Sequence, residues 1–195
     1  MIQEFLAPFV WFAFVTSITP GPNNLMLMAS GANFGLRRTV PHMLGISIGF
    51  IFMVAMVGFG LAQVFEVYPL AHTLLKGISV VYLLWLAWKI ANAAPPERSA
   101  EAGSPLTFMQ AAAFQWVNPK AWAMALSAVT VYAPAQTMGA TLLVAVVFGA
   151  VNLPSVTIWA VIGVQVQRIL TNPARLRAFN IIMALLLVAS LILVL

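Results

Sequence analysis

The 195-residue chain contains no cysteine and no aspartate. Without cysteine there is no disulfide, no thiolate metal ligand and no thiol redox chemistry. Without aspartate the acids reduce to Glu4, Glu66, Glu97 and Glu101, and chemistry that relies on several aspartates, such as metal-dependent phospholipid transfer, has nothing to draw on. Charge of either sign is scarce: 7% of residues are charged, against roughly 25% in a soluble domain. A water-soluble fold cannot clothe its surface from that supply. The formal charge of +5 does not point to nucleic acid, because the basic residues are too few and too dispersed to track a phosphate backbone.

What the chain has in abundance is apolar residue, 63% of the total, with a mean hydropathy of +1.01. A hydrocarbon core about 30 Å thick takes about 20 apolar residues per helix, so there is room for roughly five to seven crossings. No separate soluble domain fits. Charged and turn residues divide the apolar runs into six segments, at Phe5 to Gly31, Pro41 to Gln63, Leu70 to Ile90, Leu106 to Tyr132, Thr137 to Val164 and Ala174 to Leu195. The expected fold is an all-α membrane protein of six transmembrane helices forming one domain, 1–195. The first segment carries Glu4, lacks a basic n-region and is too long for a signal-peptide core, so it is read as a retained helix. Asn92 to Pro105 (NAAPPERSAEAGSP) is the linker-like stretch, and it separates residues 1–91 from 106–195.

With alternating helices, the loops after the first, third and fifth collect Arg37, Arg38, Lys89, Arg98, Arg168, Arg175 and Arg177. The other side has Glu4, Glu66 and Lys76. Lys and Arg resist translocation, so the basic side is expected in the cytoplasm and both termini outside it. Three spans per half inverts the second half relative to the first, the arrangement of many transporters. Aligning Pro20 with Pro119 also pairs Lys76 with Arg175, a weak sign of such a repeat.

Two spans are interrupted. Thr19-Pro20-Gly21-Pro22-Asn23-Asn24 falls inside the first, where each proline removes a backbone donor and clashes with the preceding turn. In lipid, irregular backbone survives only when buried in protein or lining a wet cavity. A half-helix starting near Pro22 would aim its unpaired amides at the break, a place suited to a carboxylate. Gln115-Trp116-Val117-Asn118-Pro119-Lys120 is the counterpart in the fourth span. Lys120 is the only charge lying well inside an apolar segment, at a cost of roughly 2.5 to 3.5 kcal/mol on insertion scales, and so needs a carbonyl, a wet cavity or an anion. A kinked packing helix with a snorkelling lysine is the plainer reading. Asn152-Leu153-Pro154 repeats the pattern more weakly in the fifth span, as pathway or as simple kink.

Gly45 and Gly49 form GxxxG in the second span, which lets helices approach closely within the bundle or between the subunits of a homodimer. Glu66, His42 and His72 read as interfacial or packing groups, and no residue is assigned to proton coupling. An intramembrane protease would need a nucleophile with a paired base; Ser30 with His72 is the nearest approach, without a nucleophile motif around it. A channel or an accessory subunit of a larger complex shares the same hydropathy.

At these interruptions the chain resembles the LysE/RhtB family of bacterial amino-acid exporters. The resemblance covers essentially the whole chain: TPGPNN at Thr19 to Asn24, Gly35 to Arg38, GISIGF at Gly45 to Phe50, YLLWLAWK at Tyr82 to Lys89 and NPKAW at Asn118 to Trp122. It implies export of small amino acids or their derivatives across the bacterial inner membrane, driven by the proton gradient or membrane potential, with no cofactor. The branch exporting lysine and arginine has glutamine at the first asparagine and an aspartate shortly after the second NP, where this chain has Asn23 and Met124. The resemblance therefore implies a neutral substrate of the homoserine, threonine, cysteine or O-acetylserine kind. Its carboxylate is placed near Lys120 and the break Pro20, Gly21, Pro22, with Asn23, Asn24, Gln115 or Asn118 on its polar groups.

Overall fold

Proline and short polar residues mark where the helices begin. Pro22, Pro69, Pro119 and Pro173 each stand in a first turn, where the missing N–H would have had no partner. Asn118 and Asn172 cap their helices by accepting from Lys120 N and Ala174 N. Thr137 caps through Ala140 N, and Thr107 forms a reciprocal box with Gln110. The computed structural model of the chain describes residues 2–61, 63, 67–93, 104–133, 137–170 and 172–193.

The helices are α1 (Ile2–Ile18), α2 (Pro22–Met56), α3 (Pro69–Ala91), α4 (Phe108–Phe114), α5 (Pro119–Tyr132), α6 (Met138–Ile169) and α7 (Pro173–Ala189). A π-turn, Val57–Leu61, extends α2, and a single 3₁₀ turn, Gln115–Val117, separates α4 from α5. α2 is not one rod. Gly35 has φ 76° and ψ 167°, a conformation open to glycine, and Ser30 Oγ lies 2.9 Å from Thr39 Oγ1. Nine residues of straight helix would separate those groups by about 13.5 Å. The chain therefore bends sharply at Gly35, inside the interval expected between the first two apolar segments. The other two interruptions differ from one another: the fourth segment is broken at Asn118, whereas α6 runs unbroken through Asn152 and Pro154. The expectation of a third break is corrected. Hydroxyls of Ser155 and Thr157 bond back to Val151 O and Leu153 O across the proline, and the helix persists. It also continues past Val164 to Ile169.

Glycine lets α6 lie against α2 along its whole length. A Cβ on Gly31 would collide with the Ala160 carbonyl, one on Gly163 with the Met28 carbonyl, and one on Gly149 with Ile51. Ser47 opposite Asn152, Ile51 opposite Gly149 and Gly58 opposite Thr141 show residues 36–61 antiparallel to α6. α1 is parallel to α6, with Phe9 on Phe148, Ser17 on Asn152 and Ile18 on Trp159. Gly45 and Gly49 face the Phe108 carbonyl and Ala112, so this GxxxG face seats α4 within the same chain.

Polarity is inside out. Asn24, Asn33, Gln115, Asn118, Asn152 and Asn180 are buried, while Trp11, Leu70, Val81, Trp88 and Met109 stand exposed. In water this distribution would be untenable; in lipid it is the stable one. Among the described residues, three helical stretches are long and apolar enough to cross a membrane, Pro22–Leu61, Thr73–Ala91 and Met138–Ile169, and Leu6–Ile18 is a shorter apolar helix.

The glycine contacts can be tested by stability. Gly31→Leu should force α2 and α6 apart and cost about 1–3 kcal/mol or more, seen as a lower melting temperature in detergent. Gly77→Ala, where a Cβ meets nothing within 4 Å, should leave that temperature unchanged or raise it. Equal behaviour of the two variants would contradict this packing.

Candidate functional site

The end of α1 and the prolines after it expose a run of carbonyls that no helix can use. Each has a partner. Thr19 N reaches Val15 O and Thr19 Oγ1 reaches Thr16 O at 3.0 Å. Asn24 Nδ2 donates to Ser17 O at 2.8 Å and to Thr19 O at 2.7 Å. Trp159 Nε1 of α6 donates to Ile18 O at 2.9 Å. Lys120 Nζ of α5 donates to Thr19 O, Thr19 Oγ1 and Pro20 O at 2.7, 2.9 and 3.3 Å. Leu25 N closes on Gly21 O. The lysine supplies charge as well as hydrogen, since carbonyls ending a helix carry partial negative charge.

The second interruption docks onto the first. Asn23 and Gln115 exchange amide bonds, Asn23 Nδ2 to Gln115 Oε1 at 2.8 Å and Gln115 Nε2 to Asn23 Oδ1 at 3.2 Å. Gln115 Nε2 also donates to Ala111 O, and Trp122 Nε1 holds Trp116 O. Asn152 joins from α6, donating to Ser17 Oγ at 3.2 Å and accepting from Ser47 Oγ at 3.1 Å. The stem of Lys120 crosses Gly21, where a Cβ would stand 2.7 Å from Lys120 Cδ.

Gly21, Asn23, Asn24, Gln115, Asn118, Lys120 and Asn152 thus line one cavity with Thr16 and Ser17. Pro20, Pro22 and Pro119 shape its backbone; Pro154 is not among its lining residues. The cavity measures about 20 Å³, room for about one water. Thr16, Ser17, Ser47 and Trp159 are participants that reading the sequence missed. Ser17 and Thr19 flank the prolines and could have been suspected; Trp159 and Ser47 reach the site only through the fold. Of the interfacial and packing alternatives for His42, the packing one holds: the residue is 1% exposed, with neither ring nitrogen hydrogen-bonded. Glu66 and the side chains of Glu4 and His72 lie outside the described residues.

A lipid-facing apolar exterior around a polar site made from two interrupted helices defines a membrane-embedded transport protein. The LysE type translocator model matches residues 14–194, and the chain belongs to that family, a translocator rather than an enzyme. It is 31% identical over 193 residues to proteins named cysteine/O-acetylserine efflux protein from Escherichia coli strains K12 and HS and from Shigella sonnei strain Ss046. Each alignment covers 96% of this chain and 96% of the relative. No solved structure matches it.

The carbonyl network makes Asn24 structural before it is anything else. Asn24→Leu should strand the buried Ser17 carbonyl, leaving Thr19 O to Lys120 alone, and lower stability by about 1–3 kcal/mol, measured as a drop in detergent melting temperature. An unchanged melting temperature would show that these carbonyls are satisfied otherwise.

Proposed function

We propose that the chain exports small neutral amino acids or their derivatives, of the cysteine, O-acetylserine or homoserine kind, from the cytoplasm. The observation that carries this is the ammonium of Lys120 held on backbone carbonyls where two broken helices meet. A zwitterionic amino acid complements both sides of that contact. Its own ammonium takes over the carbonyls of Thr19 and Pro20, and its carboxylate becomes the counter-ion of the released lysine. The exchange keeps every backbone carbonyl bonded in a medium where an orphan is costly. A cationic side chain in the same place would meet Lys120 and find no acid at Met124. The efflux proteins that share 31% identity with this chain fit the same substrate class.

The cavity of about 20 Å³ is too small for an amino acid, so loading requires the Asn23–Gln115 pair and Lys120 to separate. That opening, made alternately on the two sides, is the carrier cycle a broken-helix site serves. Six crossings in two inverted sets of three fit the observed bend at Gly35 and the break at Asn118. Arg37 and Arg38 beside that bend, Lys89 near the end of α3, and Arg168, Arg175 and Arg177 then share one end of the bundle. The Asn180 bonds to Asn33 and to Ala93 O favour this, since they draw those segments together. That end is cytoplasmic by the positive-inside rule, with both termini outside, in the bacterial inner membrane.

Lys120→Met should lower export of O-acetyl-L-serine from loaded vesicles by about ten- to a hundredfold, the loss expected for one charge-assisted contact, with protein still present in the membrane. Undiminished export, or a high flux that shows no counterflow, would overturn the reading. For the orientation, an alkaline phosphatase fused after Leu195 should be active and a cytoplasm-dependent reporter silent; the reverse result would invert the topology.

A further inference from the structure

A second, larger cavity of about 250 Å³ lies beside residues 22–34, between them, the end of α3 and the start of the chain after the linker. Met26, Ala29, Ser30 and Asn33 line it. Their spacing puts them on one helix face, and Asn23 of the central site stands one turn earlier on that face. A path along it, from Asn33 to Asn23, spans about 15 Å. The Asn23–Gln115 amide pair stands at the end of that path.

The polar groups of this wall are mostly spoken for. Ser30 is bonded to Thr39, and Asn33 exchanges amide bonds with Asn180 while donating to Ala29 O. His42 is the exception: it lines the cavity, is 1% exposed, and has both nitrogens without a partner and sealed behind the wall, so that a turn of the ring is what brings a nitrogen to a solute. A buried polar ring with nothing to bond loses stability unless it gains a ligand. A neutral imidazole offers one donor and one acceptor, and a zwitterion matches both. Lys89, whose ammonium stacks on Trp85 at 4.9 Å from the ring centre, also lines the cavity and brings positive charge for a carboxylate. The remaining wall, with Leu86 and Leu106, suits a short apolar or acylated side chain.

We propose that this cavity is a second amino-acid site, a chamber on the basic side of the bundle that binds the solute before it reaches the central break, with His42 hydrogen-bonding the amino-acid head group. The assignment of solute rests on the exporter reading above, while the chamber itself rests on His42 and the cavity.

Because the chain has no cysteine, single cysteines report without background. Ser30→Cys in inside-out vesicles should react with a small water-soluble methanethiosulfonate added to the cytoplasmic face. Millimolar O-acetyl-L-serine should slow that reaction. Adding His42→Phe should weaken protection about tenfold in the concentration needed, the effect of losing one charge-assisted hydrogen bond. His42→Gln, which keeps a donor and an acceptor, should largely retain protection, and Lys120→Met should leave it intact because the chamber is separate from the central site. An unreactive Ser30→Cys, or a reactive one that O-acetyl-L-serine does not protect, overturns the chamber. Absence of protection alongside wild-type export overturns the chamber alone; protection without any export upholds it and overturns the exporter reading.

Discussion

Backbone carbonyls freed by Pro20 and Pro22 have no helical donors, and their need for partners organises much of the bundle. An unsatisfied amide or carbonyl in hydrocarbon costs several kcal/mol, comparable to the stability of a whole small domain. The donors that answer come from three directions: Asn24 from the next helix, Trp159 from α6 and Lys120 from α5. These contacts fix how α1, α2, α5 and α6 sit relative to one another more sharply than apolar packing can. Lipid chains are as apolar as leucine, so burial of apolar surface between helices has little driving force there.

Close approach is the second condition. Polar side chains as short as asparagine and serine can bridge helices only when the backbones nearly touch. Gly31, Gly149 and Gly163 remove the side chains that would hold α2 and α6 apart, and Ser47, Asn152 and Ser17 then link three helices. Gly45 and Gly49 do the same for α4, which carries Gln115 toward Asn23. Gly21 gives passage to the lysine stem. Its backbone is extended, at φ −179°, so it is the space and not the torsion that asks for glycine.

Much of this was legible in the sequence because it is local. Proline dipeptides announce broken helices, asparagine before Pro119 marks the second interruption, and a lone lysine in an apolar run announces a need for a partner. Non-local pairing was not legible. Nothing in the chain couples Trp159 to Ile18, or Asn33 to Asn180, until the fold brings them together across more than a hundred residues. Pro154 shows the limit of that local signal: a proline of the kind that ends a helix beside Pro20 sits here within a continuous α6. His42 could be read as interfacial or as packing from the sequence, and only the fold decides between them, placing it at 1% exposure.

The same network that stabilises the break sets the terms on which it can open. Moving Lys120 or parting Asn23 from Gln115 without replacement would leave charged or polar groups bare in a medium of low dielectric, where each is most expensive. Thermal opening of the empty site is thereby suppressed, which limits leakage. A solute bearing both an ammonium and a carboxylate changes the balance, because it brings one donor for the carbonyls and one acceptor for the lysine in a single molecule. Ions of one sign cannot do this: a cation satisfies the carbonyls but confronts the lysine, and an anion pairs with the lysine but strands the carbonyls. On the proposed export reading, selection for zwitterions would then follow from hydrogen-bond conservation at the break, before any contact with the substrate side chain is made.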